Sequence, residues 1–283
     1  ISGVYEGKTT GLPICLLVYN QDAKSEDYQA LKEIFRPGHA DFSWYKKFKI
    51  LDWRGGGRAS GRETISRVIA GAFLEKFIQP CLIDIFPVSI GNIVVKNIDS
   101  DFVNKNHLSW PDENNFDQVL NLLESTKNEG DSLGAVLKCR ISNLPAGLGD
   151  PVFEKLEANL AKAVLSVGGI KGIEFGEGFS LAFKNGSNTN DQMKDGLFLS
   201  NNMGGFLGGV SNGSELIFYL ALKPIPSINI PQQTCDIHNR NKIISITGRH
   251  DACLVPRIIP VIRAMIQITL ADAVAHQNLI MQN

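Results

Sequence analysis

Arg54, Arg58, Arg62 and Arg67 fall in one short stretch, Asp52-Trp-Arg-Gly-Gly-Gly-Arg-Ala-Ser-Gly-Arg-Glu-Thr-Ile-Ser-Arg67, opposed only by Asp52 and Glu63. Glu63 precedes Arg67 by one helical turn, the spacing of a surface ion pair worth ~0.3 kcal/mol. That leaves Arg54, Arg58 and Arg62 beside a run of glycines. Glycines let a backbone approach a ligand closely, and the N–H groups at a helix start, with the positive end of its dipole, favour a phosphate or carboxylate. Arginine adds planar, two-pronged donors matched to those anions. The stretch is not a P-loop, because no Gly-Lys-Ser/Thr follows, and it lacks the G-x-G-x-x-G dinucleotide fingerprint. Two readings stay open: an anion site, or a flexible loop leading into a helix with a solvated basic face.

Three further stretches could carry chemistry. His39 sits in the rigid, charged loop Arg36-Pro-Gly-His-Ala-Asp41, where a neighbouring carboxylate would favour the imidazolium and suit it to donate a proton; a purely structural histidine is the alternative. Thr247-Gly-Arg-His-Asp-Ala-Cys253 joins an expected strand to the last helix, a favoured place for binding groups. Asp251 within it is equally suited to cap that helix near Pro256. The Gly-rich run Asn201 to Gly213 could wrap a flat ligand or form a tight hairpin. His107, His238 and His276 lie in polar segments and receive no role. No H-E-x-x-H or other ligand spacing implies a metal.

These loops need elements to hold them. Ile14 to Val18 is a continuous apolar run of the kind found in a strand buried on both faces, whereas Val136 to Ile141 alternates and predicts a strand with one face in the core. Leu216 to Leu222 and Ile243 to Ile246 read as further strands. Helical spacing places Ile65, Val68, Ile69, Ala72, Phe73 and Phe77 on one stripe of a helix over residues 62–78, and Phe116, Val119, Leu120 and Leu123 on a helix stopped by Gly130. Asp150-Pro151 predicts a capped helix start with Phe153, Leu156, Leu160 and Val164 on its buried face. A last helix runs from Leu254 to Ala275, with Pro260 expected to kink or break its first turns. Residues 184–196 and 228–241 read as loops. With no repeat and no long linker, the chain is expected to form a single α+β domain over residues 1–283.

The 283 residues carry 28 basic and 29 acidic side chains, a net charge of −1. A general nucleic-acid binder or an acidic disordered chain needs a large excess of one sign, so neither whole-chain reading fits. The longest uninterrupted apolar runs, such as Leu216 to Leu222, are far shorter than the ~20 residues of a spanning helix. A soluble protein without nucleic-acid or membrane partners is expected. The five cysteines form no C-x-x-C pair and suit reduced thiols in the cytoplasm. Asn185-Gly-Ser187 and Asn212-Gly-Ser214 match the glycosylation tripeptide, yet without a secretory signal both read as turns. The sequence opens Ile1-Ser-Gly-Val4, with no initiator Met and no targeting pattern.

The loops become specific in combination. Arg36-Pro-Gly-His-Ala-Asp41, Arg54-Gly-Gly-Gly-Arg-Ala-Ser-Gly-Arg-Glu-Thr64, Gly149-Asp-Pro-Val-Phe153, Lys171-Gly-Ile-Glu-Phe175, Asn202-Met-Gly-Gly-Phe-Leu-Gly-Gly-Val-Ser-Asn-Gly213, Lys223-Pro-Ile-Pro-Ser227 and Gly248-Arg-His-Asp251 occur in the order seen in chorismate synthases. The sequence resembles that family from Ile1 to about Ala275. The resemblance implies a β-α-β sandwich, usually a homotetramer. It also implies a lyase that converts 5-enolpyruvylshikimate 3-phosphate to chorismate and phosphate by 1,4-elimination, within aromatic amino acid biosynthesis. Reduced FMN (FMNH2) is the implied cofactor, with no net redox change. Its reductant is left open between a separate flavin reductase and NADPH used by the enzyme itself. The substrate bears two carboxylates and a phosphate, a load that suits the arginine cluster.

Carried over by position, the resemblance implies that His39 sits beside the flavin and protonates it, and that Asp251 assists proton removal. FMN contacts are implied for Arg58, Ala59 and Ser60; for Gly168 and Gly169; for Gly208; for Lys223, Pro224, Ile225, Pro226 and Ser227; and for Arg249. Substrate contacts are implied for Ser60, Arg62 and Arg249. Ala59 and Gly61 stand where Ser and Ala are frequent, and Ile225-Pro226 replaces a common Thr followed by Ser or Pro. Family members begin with a segment containing Gly-Glu-Ser-His-Gly, whose histidine protonates the leaving phosphate; this sequence starts after it. The expectation is an enzyme sequence lacking its N-terminal segment, the alternative being an inactive truncated homologue that binds flavin or serves as an oligomeric partner.

Overall fold

The computed structural model describes residues 2–19, 29, 31–53, 57–246 and 251–281, with the side chain of Arg58 left aside. The chain divides into two compact units, Ile1–Glu63 with Thr234–Lys242, and Thr64–Gln233 with Ile243–Asn283.

In the first unit, helix α1 (Asp41–Phe48) follows the His39 loop. Phe35 is buried and meets Phe42 edge-on, with ring centroids 5.4 Å apart, and Tyr45 at 5.5 Å. Ile14 to Val18 is not a buried strand. Cys15 makes an isolated bridge to Ser2, and Leu16, Leu17 and Val18 are each 53% exposed. An apolar run satisfies a strand pattern whatever covers it, and among the described residues no second layer of this unit does.

The second unit is built on a five-stranded antiparallel sheet of β1 (Leu82–Ile90), β2 (Ile93–Val94), β3 (Ala135–Ser142), β4 (Ile170–Phe175) and β5 (Leu216–Leu222), in the spatial order β2-β1-β3-β5-β4. The alternation of β3 is strict, with Ala135, Leu137, Cys139 and Ile141 buried. Register pairs Leu137 with Leu220 and Cys139 with Phe218, so the buried faces of β3 and β5 coincide. Ile243 to Ile246 is strand only to Ile244, within the short pairing of Gln232–Cys235 with Asn241–Ile244.

The longer helices of this unit are α2 (Ile65–Leu74), α3 (Phe116–Asn128), α4 (Leu156–Leu165) and α5 (Val255–Met281). α5 packs against α2, α4 and β1. Gly71 lies so close to α5 that an added Cβ would stand 2.5 Å from the Ala264 Cα. The predicted stripe of α2 is therefore only partly inside: its closest approach uses a residue without a side chain, while Ile65, Ala72, Phe73 and Phe77 are exposed. 3-10 turns at Gly61–Thr64 and Glu75–Ile78 extend the helix to the predicted limits. α4 opens at Leu156, not at Pro151; Leu156, Leu160 and Val164 are buried as expected, but Phe153 is 89% exposed. Asp150 bridges to Glu154 in place of capping. α5 continues through Pro260 and is long and apolar enough to cross a bilayer by length and composition, at a mean hydropathy of 1.7. Half of that window is buried, as in a core helix. Counting uninterrupted apolar runs could not detect it, because scattered polar residues such as Arg257 and Gln267 divide the helix.

Candidate functional site

The antiparallel register brings several candidate residues of the second unit to one end of the sheet. Leu222, the last residue of β5, pairs with Ala135 at the start of β3 and with Ile170 at the start of β4. The loop entering β4 and the loop leaving β5 must therefore adjoin. The Lys223 N–H donates to the Gly169 carbonyl at 2.9 Å. Ser132 Oγ donates to the Ile225 carbonyl at 2.7 Å, and the Leu133 N–H to the Ala252 carbonyl at 2.7 Å. Gly134 fits between them, since a Cβ there would lie 2.6 Å from the Leu222 carbonyl oxygen and 3.2 Å from Pro224 Cδ. Gly169, Lys223, Pro224, Ile225 and Asp251, beside Ala252, thus gather around one strand end.

Electrostatics distinguishes this end. The Lys223 ammonium lies below the ordinary lysine value of 10.5, first because burial disfavours its charge and then because Lys171 repels it. Lys171 is a residue that the sequence pattern left without a role; the register placing β4 beside β5 sets it near Lys223. An added anion would relieve the repulsion. Beside these lysines Gly168 is exposed, and a Cβ there would meet nothing within 4 Å. Asp251 is ion-paired to Arg257 at 2.6 Å, Nε to Oδ2, with a second bond from Nη2 to Oδ1 at 3.2 Å. The reading of Asp251 as a simple cap omitted Arg257, whose only sequence signal is its place near the start of the following helix.

Gly208 is not part of this cluster. It turns a hairpin between Phe206–Leu207 and Val210–Ser211, with φ of 62° at Gly208 and 92° at Gly209, the left-handed pair that a two-residue hairpin loop requires. The hairpin reading of this Gly-rich run is borne out. Its neighbours are the start of α4, where the Leu156 N–H donates to Gly209, and the start of β5, where the Ile217 N–H donates to Gly204. That is the opposite end of β5 from Lys223.

In the first unit, the Ser60 N–H donates to Gly57 at 3.1 Å, the Glu63 N–H to the Ser60 carbonyl at 3.2 Å, and the Arg62 N–H to Ser60 Oγ at 3.3 Å. These donors close 3-10 turns, so the anion-binding helix start expected here is partly spent on the turn itself. Arg67 reaches Ser166, donating to its Oγ at 2.8 Å. Arg54 and Arg249 lie outside the described residues, and only the backbone of Arg58 is described, within the turn Gly57–Ala59.

The neighbouring carboxylate expected for His39 is Asp41, whose value the His39 charge helps to lower, although its hydrogen bonds go to Arg36. Arg36 holds Asp41 with Nε to Oδ2 at 2.7 Å, Nη2 to Oδ1 at 2.8 Å and its own N–H to Oδ2 at 3.1 Å. Burial pushes the Asp41 carboxyl up, but the Arg36 hydrogen bonds and charge outweigh it and hold the group below the usual carboxylate range. His39 Nδ1 lies 3.0 Å from the Pro37 carbonyl oxygen. A carbonyl only accepts, so Nδ1 carries the proton of that contact.

A groove of about 880 Å³ in the second unit, lined by residues including Phe77, Lys162, Met265, Asp272 and His276, contains none of the candidate residues. Among the described residues no group of three His, Cys, Asp or Glu side chains could hold a metal ion.

Comparison with known proteins agrees with the order of the loops. A family model described as chorismate synthase matches residues 1–275. The chorismate synthase of Syntrophus aciditrophicus (strain SB) is 45% identical over 284 residues, which cover 98% of this chain and 80% of that protein. That of Lachnospira eligens (strain ATCC 27750 / DSM 3376 / VPI C15-48 / C15-B4) is 45% identical over 282 residues, covering 97% and 77%. A solved crystal structure of chorismate synthase superposes with a TM-score of 0.67 at 30% identity, over 84% of this chain and 70% of that one. The α+β chain belongs to the chorismate synthase family, and its function is that of the family, a lyase of aromatic biosynthesis.

Proposed function

We propose that this chain eliminates phosphate from 5-enolpyruvylshikimate 3-phosphate to give chorismate, using reduced FMN, in the cytoplasm and as a homotetramer. The observation that carries the flavin assignment is the meeting of Gly169 with Lys223 at the end of β5, beside an open Gly168. The donor set there fits an anionic cofactor: Lys223 and Lys171 repel each other until a negative group comes between them. The reduced flavin, when bound, supplies a transient electron to the substrate as phosphate departs, and regains it.

This chain's own residues have the remaining tasks. Lys223 and Lys171 hold the anionic end of the cofactor, and main-chain groups of Gly168, Gly169 and residues 224–227 line it. His39 gives and takes a proton at Nε2, its Nδ1 being held by Pro37. The Asp251 carboxylate, oriented by Arg257, assists removal of the substrate proton. Arg58, Ala59 and Ser60 contact the flavin, and Ser60, Arg62 and Arg249 receive the carboxylates and phosphate of the substrate, two-pronged arginines being suited to both. Gly208, near the other end of β5, is assigned to the flavin by the resemblance alone.

Flavin titration combined with anaerobic phosphate release tests the reading. Tight binding of reduced FMN, flavin-dependent release of phosphate and loss of flavin affinity in Lys223→Met are expected. Unchanged affinity in that variant would remove the assigned cradle, and phosphate release without flavin would remove the cofactor.

A further inference from the structure

The loop that carries His39 is built more rigidly than a binding loop needs to be. Pro37 and Gly38 stand at its centre, and the His39 N–H closes back on the Arg36 carbonyl at 3.3 Å. Gly38 has φ of 69°, the left-handed value that the third position of a type II turn requires, and proline fixes the second position. Around this turn the Arg36 guanidinium and main-chain N–H clasp the Asp41 carboxylate, spanning the whole of Pro37 to Ala40. The pair is well shielded, with side-chain exposures of 15% for Arg36 and 7% for Asp41. The stem is tied as well: the Phe35 N–H donates to the Cys235 carbonyl at 3.1 Å, and Thr234 Oγ1 donates to the Phe35 carbonyl.

We propose that the Arg36–Asp41 clasp is a positioning device that fixes the tautomer and direction of His39, by holding the Pro37 carbonyl against Nδ1. Arg36 and Asp41 are positioning residues; neither has to touch substrate or cofactor. The geometry gives the reason. A carbonyl two residues before the histidine can accept from Nδ1 only while the intervening turn is closed, and the clasp joins the two ends of that turn. With Nδ1–H committed, the neutral imidazole presents an unprotonated Nε2 and the imidazolium an Nε2–H, so proton exchange falls to that atom. Without the clasp the ring would sample both tautomers, and the wrong one offers no acceptor at Nε2. This inference rests on the assignment of His39 as the proton-exchanging residue.

The test is 15N NMR of histidine-labelled full chain, with the His39 signals assigned by their loss in His39→Ala. It compares the native protein, Asp41→Asn and Arg36→Lys, with steady-state turnover measured in parallel. The native protein should show His39 predominantly protonated at Nδ1 when neutral. Asp41→Asn should mix the tautomers and lower kcat by about tenfold or more, the scale of a small misplacement of a reacting group, with KM little changed. Arg36→Lys keeps the charge but loses the fork, and should give the same tautomer mixing in milder form; it decides the matter if Asp41→Asn loses its native circular dichroism. Retention of the Nδ1–H tautomer in a folded variant would overturn the proposal, and a lower melting temperature with that tautomer intact would assign the pair a structural role alone. Unchanged turnover in His39→Ala would remove the assignment of His39 while leaving the tautomer result to stand or fall by itself.

Discussion

The Lys223 N–H donates to the Gly169 carbonyl at 2.9 Å, joining the residue that leaves β5 to the residue that enters β4. More than fifty positions of sequence separate them, yet antiparallel pairing of Leu222 with Ile170 makes their meeting unavoidable. The bond sets a lysine beside an exposed glycine and brings it close to Lys171.

Flavin affinity should depend on alkaline pH. Lys223 loses its proton at a lower pH than an ordinary lysine, and a bound anion favours the charged form. Binding is therefore strong below the lowered value and weakens as pH rises through it, because the complex must then take up a proton. Lys223→Arg should abolish this alkaline fall. Lys171→Met should move it to higher pH, since one source of repulsion is gone. Dissociation constants from fluorescence titration across the alkaline range check both.

His39→Ala should lower anaerobic turnover with reduced FMN by about 100-fold or more, the usual scale of a lost acid–base group, while substrate binding changes little. Stopped-flow absorbance with equilibrium dialysis separates the two effects. Equal loss of binding and turnover would instead make His39 a substrate contact.

Acid should expose the contribution of Asp41. Its folded value lies below the ordinary 3.8, so the stability it contributes is complete above the unfolded value and disappears as pH falls through the folded one. Asp41→Asn should therefore lose stability near neutral pH and show a flatter dependence below pH ~4. Urea titrations across the acid range measure the slope.

Gly71→Ala should destabilise the second unit by about 1–3 kcal/mol, the range for an overpacked contact. A helix-interior glycine would ordinarily gain ~1 kcal/mol from alanine. Here the new methyl would stand 2.5 Å from the Ala264 Cα, 2.6 Å from its Cβ and 2.8 Å from Gln267 Oε1, so α2 and α5 must separate. Thermal unfolding gives the sign directly. An increase in melting temperature would mean that the helices adjust at no cost.

Much of this was legible from residue order. The alternation of residues 136–141 predicted β3, the apolar run 216–222 has the bounds of β5, and Leu156, Leu160 and Val164 supplied the buried face of α4. Patterning sufficed because one face of each of those elements is covered by the rest of the same unit. Phe153 and the run Ile14 to Val18 obeyed the same patterns and are exposed. A pattern records what a segment can bury and not what lies against it. The loops, with Pro37, Gly38, the arginine cluster and the Lys223 run, were specific enough to identify the family without any coordinates.

What sequence could not supply was adjacency. Residue order left Asp41 as the neighbour of His39; the fold keeps that charge acting on the imidazole but gives its hydrogen bonds to Arg36, while His39 Nδ1 meets the Pro37 carbonyl. It offered Asp251 as a helix cap or, by resemblance, as an aid to proton removal, and gave no sign that Arg257 holds it. It grouped Gly208 with Gly169 and Lys223, which β5 places at its two ends. The sequence by itself determined the family, the periodic core and the chemical types available to the site. Only the tertiary structure decided which charges meet, because hydrogen bonds and ion pairs form over a few ångströms of space, and register and helix packing set those distances.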